Sequence, residues 1–320
     1  MPGLAALGAL LFTWMQVGQQ SKELRIAEHG EITSRFNNAI GNLGSQSLDI
    51  RLGGIYALQR IMQDSARDQP TVVSVLAAFV QRHAGSSTKS LKESADENSD
   101  SYSPAADVKA AIAMLARRRP DRDSGTVIDL SKSDFRGLSF TGKAPIKLPG
   151  AQLDHADLRW ADLSGWYSLV TPRAVDLRKV SLLYANLEEA SLERANLSGA
   201  DLSGAHFSVA VLEHANLRGA DMTCAGGVFD EETQEEVQRT DCVDLQDALM
   251  KGADLRNAKM IGARLSKATL TGADLRYADL TDADLTGADL TNADFRGAKM
   301  TGAKLNGALR SGARGLPQES

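Results

Sequence analysis

The sequence predicts a β-solenoid, a narrow four-sided tube, preceded by a small all-α region. Three observations carry this expectation. From Leu245 to Leu305 a large apolar residue recurs at every fifth position through thirteen consecutive units. Two residues before each of these centres stands alanine, Val243 being the one exception. A second run of ten centres extends from Leu177 to Met222 without a slip. A period of five belongs to neither a helix nor a strand, and a fixed short period marks a repeat architecture.

With each centre written i, one large and one small side chain (i and i−2) point inward per unit, which is enough to fill a narrow tube. Leu255, Leu265, Leu275, Leu285, Phe295 and Leu305 are such inward centres. The residues at i−1, i+1 and i+2 are mostly Asp, Asn, Lys, Arg, Ser, Thr and Gly, and face water. Four units make a square turn of twenty residues, which stacks on the next at about 4.8 Å. Glycine at i+2 suits the corners, where a positive φ is needed. Burying each central leucine is worth ~1.5–3 kcal/mol, so the tube needs no larger core.

The pattern A(D/N)LXX resembles that of the pentapeptide-repeat family. The resemblance implies a right-handed quadrilateral β-helix, here over residues 125–310, with a tail at 311–320. The repeats begin irregularly, with Leu130, Phe135 and Phe140 in one register and Leu148, Leu153, Leu158 and Leu163 in a second. A break at residues 165–173 precedes the first long run, and residues 223–242 interrupt the rod before the second.

The chain ahead of the rod divides by composition. Residues 1–20 are uncharged, residues 2–17 are nearly all apolar, and Lys22 and Arg25 follow them. They read as a membrane anchor whose flanking bases leave the bulk of the chain in the cytoplasm. Residues 21–84 read as a helical domain: Ile32, Phe36 and Ile40 share one face, with Gly44 as a stop. Asp49 is placed to cap a second helix with Leu52, Ile55, Leu58 and Met62 on its apolar face, where Gly53 and Gly54 permit a close neighbour. A third helix around residues 71–81 carries Val72, Leu76, Phe79 and Val80. This segment is similar to the helical region ahead of the repeats in membrane-anchored actinomycete members of the same family. Residues 85–103 are too polar to order themselves and form a linker. Residues 104–120 form a capping helix, with Ser103 as N-cap and Pro104 at its first position, placed to cover the first coil.

No catalytic constellation is present, and no cofactor or metal site is expected. The five histidines lack metal-ligand spacing, and no phosphate-binding loop or nucleophile motif occurs. Cys224 and Cys242 form neither a disulfide framework nor a zinc set; a clip between them competes with reduced cytosolic thiols, and the thiols are the expectation. The expected activity is therefore a protein-interaction scaffold with an unidentified protein partner, and no direct contact with nucleic acid.

The candidate partner-binding residues lie in the interruption, where FDEETQEEVQR reads as a short acidic helix: Phe229, Asp230, Glu231, Glu232, Glu235 and Glu236. The uncovered last coil suggests a homodimer through the C-terminal end. The alternative that the resemblance supplies is a DNA-mimicking rod that binds DNA gyrase, of the quinolone-resistance type. Such a rod needs a continuous negative face. Residues twenty apart instead alternate in sign, as in Asp244, Arg264, Asp284 and Lys304, or in Lys259, Asp279 and Lys299. Where Asp254, Asp274 and Asp294 stack alike, Arg256, Arg276 and Arg296 stand two residues away.

Overall fold

The computed structural model describes residues 30–85, 103–139, Leu148, 151–163, 175–225, 228–229, 236–237 and 242–316, with Trp14, Gln16 and Gln19 as isolated helical positions. The chain forms two compact units, residues 1–72 and 73–320. Residues 1–20 and the linker lie almost wholly outside the described residues. Among those described, no helix is long and apolar enough to cross a membrane.

In the first unit, helix α1 occupies residues 30–43 and helix α2 Leu48–Asp64. Gly54 sets their approach: a Cβ there would stand 2.9 Å from the Ala39 carbonyl oxygen. Gly53 has open space instead, so only one of the pair serves the contact. The crossing also corrects the expected face of α1. Ala39 and Leu43 are buried while Ile40 is exposed, because the close approach demands a small residue opposite Gly54. Along α2, Ile55, Leu58, Ile61 and Met62 are buried. Its N-cap is Ser47, with Asp49 inside the first turn.

Helix α3, Gln69–His83, buries Val72, Val73, Leu76 and Val80 completely. Helix α4, Ala106–Arg117, begins two residues later than a Ser103 cap would place it, with Ala105 at its N-cap. Its end is secured from within the second unit. Arg118, 1% exposed at its side chain, donates Nη1 to the Leu115 carbonyl and Nε to Asp123 Oδ2, both at 2.9 Å. Burial pushes the Arg118 guanidinium down from its usual range, against the pull of Asp123. The pair fixes α4 to the 3-10 turn Pro120–Arg122, from which the rod starts.

The rod is a stack of four-sided coils joined by parallel bridges. Its longest column runs Asp129, Gln152, Asp176, Asn196, Asn216, Asp254, Asp274, Asp294 and Arg314. No side becomes an extended strand, because each offers one bridging residue, at i−1, before the chain turns. The regular spacing is twenty residues; the first two steps take 23 and 24, and the step across the interruption takes 38. The columns thus continue across each irregular stretch of sequence. The inward positions are filled along the rod, with Leu255, Leu265, Leu275, Leu285 and Phe295 at 0% exposure and the intervening alanines at 0–1%.

Each unit satisfies its own backbone. In the unit around Leu275, the Leu275 N–H donates to the Asp294 carbonyl of the next coil, and the Ala278 N–H closes a β-turn onto the Leu275 carbonyl. The Tyr277 N–H donates to the Arg296 carbonyl, and the Asp279 N–H to the Ala258 carbonyl of the preceding coil. Tyr277, third residue of its turn, takes φ 62°, as the type II geometry requires.

The two ends differ. Leu130 and Phe135 in the first coil are 1% exposed, whereas Leu305 in the last reaches 9% and Met300 is half-buried. Near the first coil, a Cβ on Gly85, two residues after α3, would lie 3.9 Å from Asp134 Cβ. The buried apolar face of α4, with Val108, Ala111, Ile112 and Leu115, belongs to the same unit.

Candidate functional site

The outer surface of the rod is built from the residue at i−1. Its carboxylate or amide oxygen accepts the backbone N–H at i+1, the one donor of the unit left over by the coil-to-coil bonds. Thr286 donates to Asp284 Oδ1 at 3.0 Å, Thr291 to Asp289 at 2.9 Å, Gln246 to Asp244 at 3.0 Å and Glu188 to Asn186 at 3.0 Å. Asp and Asn predominate there because a short side chain ending in an acceptor closes this loop. Sequence reasoning had placed these residues simply in water. Accounting for every backbone N–H would have found the role.

Where arginine follows at i+1, the carboxylate is engaged a second time. Arg276 grips Asp274 in a fork, Nε to Oδ1 at 2.8 Å and Nη2 to Oδ2 at 2.7 Å, and Nε stands 3.9 Å from Asp294 of the next coil. Arg256 and Arg296 repeat the fork on Asp254 and Asp294. On the next side the signs alternate and the pairs close between coils: Lys259 to Asp221 at 2.8 Å and Lys299 to Asp279 at 2.9 Å.

These contacts set the titration. The Arg296 guanidinium holds the Asp294 carboxyl down to about 2, and Arg256 and Arg276 lower Asp254 and Asp274 in the same way. The hydroxyls of Thr286 and Thr291 lower Asp284 and Asp289. A carboxyl whose folded pKa is depressed contributes stability above its unfolded value, near 3.9, and loses it as pH falls through the folded one. The melting midpoint is therefore expected to hold from pH 7 to about 5, then to fall steadily between about pH 4 and 2. Melts at half-unit intervals check this; a midpoint at pH 2.5 equal to that at pH 7 would show that these contacts do not stabilise the fold.

The interruption leaves the tube at one corner. The bridges Asp201↔Asp221 and Asp221↔Lys259 stand in one column, His206↔Asp244 and Asp244↔Arg264 in the next. The step of 38 exceeds the regular twenty by eighteen, which is also the separation of Cys224 and Cys242. Both cysteines occupy an i+2 position, so the returning chain sets them side by side. They are joined in a disulfide, which corrects the expectation of two free thiols. A Cβ on Gly262 of the next coil would lie 2.7 Å from Cys224 Sγ and 3.2 Å from Cys242 Sγ.

Outside this base the chain forms an antiparallel pair, β1 (Val228–Phe229) and β2 (Glu236–Val237), with Phe229 opposite Glu236. The expected helix is thus replaced, at Phe229 and Glu236, by the arms of a hairpin. Two segments returning to one corner are held side by side, and that favours pairing across the excursion. Asp230, Glu231, Glu232 and Glu235 lie outside the described residues. Among those described, no group of His, Cys, Asp and Glu could hold a metal ion.

The pentapeptide-repeat pattern matches in eight copies, over residues 173–208, 190–225, 241–276 and 273–309. Residues 173–225 and 241–309 of the rod are repeats of the pentapeptide type. Repeats of this type imply the right-handed sense of the quadrilateral β-helix, whose four-sided parallel stacking the bridges describe.

Three solved pentapeptide-repeat structures illustrate the range. Rfr23 from the cyanobacterium Cyanothece 51142 is 24% identical over 34% of this chain and 63% of its own, with a TM-score of 0.28. The chain therefore spans just under two thirds of that relative. HetL from Nostoc sp. strain PCC 7120, involved in heterocyst differentiation regulation, is 29% identical over 58% of this chain and 88% of its own, with a TM-score of 0.19. QnrB1, a plasmid-mediated fluoroquinolone resistance protein, is 17% identical over 54% and 88%, with a TM-score of 0.33. No curated protein matches the chain. With TM-scores this low, the pentapeptide-repeat assignment rests on the repeat pattern itself.

Proposed function

We propose that this pentapeptide-repeat chain is a non-catalytic protein-interaction scaffold that presents the 223–242 excursion to a protein partner. One observation carries the reading: the columns on both sides of the excursion keep their register through it. The columns close without a bridge from the excursion among the described residues, which supports a sequence free to serve recognition, and repeat proteins place insertions on binding faces. The filled core supports the absence of catalysis, since leucine and alanine leave no room for a substrate. The alternative of a DNA-mimicking rod is weaker, because the carboxylates of its most acidic column are already held by Arg256, Arg276 and Arg296.

Residues 1–20 provide the membrane tether in this reading, and Lys22 and Arg25 keep the rod on the cytoplasmic side. There, at a reducing poise, the Cys224–Cys242 bond opens to two thiols in the same corner. The test is excision of residues 225–242, which joins Cys224 to Val243 and restores an unbroken unit before Leu245. The shortened chain is expected to melt within about 2 °C of the parent and to lose a protein that co-purifies with the full chain from salt-washed membranes. An unchanged set of co-purifying proteins removes the excursion from the proposal, and recovery of the full chain in the soluble fraction removes the tether.

A further inference from the structure

One side of the rod departs from the pattern of the other three. Its bridging column runs Ser191, Val211, Leu249, Thr269, Asp289 and Leu309, whereas every described bridging residue of the other columns is polar or charged. The departure sits at mid-rod, where Val211 and Leu249 bridge each other in adjacent coils. Leu249 is 39% exposed, and Val209, at the corner before Val211, is 52% exposed. Single exposed apolar residues are ordinary. Here, though, adjacent ones replace the residue type that the backbone of the unit calls for. Valine and leucine offer no oxygen at i−1, and the N–H groups of Glu213 and Lys251 at i+1 make no hydrogen bond among the described residues.

The charges beside this strip select what covers it. Glu213 and Lys251 flank Val211 and Leu249, and Glu189 and Lys267 stand at the corners before Ser191 and Thr269. None of the four forms an ion pair among the described residues. A second copy can lie on this side with the two rods antiparallel, about a two-fold axis along the strand direction between the coils of Val211 and Leu249. Coils then pair across the axis while each residue keeps its place within the unit. Val211 of one copy meets Leu249 of the other, Ser191 meets Thr269, Glu213 meets Lys251 and Glu189 meets Lys267, each pair occurring twice. The unbonded Lys251 N–H lies beneath Glu213 of the other copy. A shift of one coil either way sets Glu213 against Glu213 or Lys251 against Lys251, which charge repulsion disfavours. Parallel rods would reverse the unit and lay the apolar i−1 residues over the charged ones at i+1.

We propose that this side of the rod is the interface of an antiparallel homodimer, with the Val211–Leu249 strip at its centre and the Glu213–Lys251 pairs fixing its register. Two flat β faces pack about 10 Å apart, so the apolar strip supplies the burial and the charges supply the choice of register. The contact is lateral and leaves the ends of the rod out of it. The inference is independent of the excursion and of its partner.

Sedimentation of the full chain in mild detergent is expected to show a monomer–dimer equilibrium with a Kd on the order of 10 µM, as suits a small interface. Glu213→Lys and Lys251→Glu each set like charges against each other twice across the axis, and each is expected to weaken association at least about tenfold. An equimolar mixture of the two variants pairs opposite charges at both places again, and is expected to associate within about threefold of the parent. Mixing rescues neither a misfolded variant nor a change confined to one chain. A parent that stays monomeric at about 100 µM, single variants that associate as tightly as the parent, or a mixture that associates no better than its components would each overturn the proposal.

Discussion

Leu275→Asp is expected to lower the melting midpoint of the rod by about 10 °C or more. Leu275 is fully buried at mid-rod, its N–H and carbonyl both committed to the ladder and the turn, so the side chain has no route outward. The substitution forfeits ~1.5–3 kcal/mol of leucine burial and leaves a carboxyl without partners in a dry tube, for a total of ~4 kcal/mol or more. Each coil touches only its neighbours, so the damage divides the stack at one level. Thermal melts by circular dichroism decide the matter. A midpoint equal to the parent's would mean that Leu275 does not point inward.

The opposite error should cost nearly as much. Ala278 is fully buried, and in its column the Asp279 N–H reaches up to the Ala258 carbonyl while the Ala278 carbonyl receives the Lys299 N–H, each at 2.9 Å. A benzyl group at Ala278 must enter a cross-section already filled by Leu275 and Leu280, between backbones pinned above and below. Overpacking costs ~1–3 kcal/mol in ordinary cores, and the pinned ladder puts Ala278→Phe at the top of that range, about 6–10 °C in midpoint. A shift below about 2 °C would reveal slack along the alanine columns.

The two substitutions address the positions that the sequence makes legible. A period of five says which side chains point inward and which residues stack, and the bridges place Asp244, Arg264, Asp284 and Lys304 in one column. What the period does not reveal are fits between particular residues one coil apart. Glycine at the corners is an example. A positive φ alone does not demand it, since Lys267, Tyr277 and Asn292 adopt the same conformation. A Cβ on Gly297 would stand 2.7 Å from the Tyr277 ring of the preceding coil and one on Gly252 2.6 Å from His214, so glycine at these corners lets those side chains lie over them.

The candidate site was less legible. Acids after Asp230 resemble a helical first turn, but chain ends returning to one corner impose pairing, and Phe229 and Glu236 stand in opposite arms. The disulfide escaped for a related reason: its cysteines are distant in sequence yet equivalent in the repeat, which shows only once the eighteen extra residues are subtracted. In the helical unit, propensity and spacing found the helices, while the rotation of α1 depended on Gly54 of its neighbour.

Register kept across an excursion also turns the rod into a measure of length. The hairpin base lies just before Asp244, and the column from Asp244 to Lys304 contains three bridges. At about 4.8 Å per level, the base of the excursion and the last described coil stand roughly 14 Å apart along the axis. Adding or removing one whole coil between them would change that distance in a single fixed increment, with every column still continuous. Distance between two attachment points is thus adjustable in this protein by counting residues in twenties, and by no smaller step.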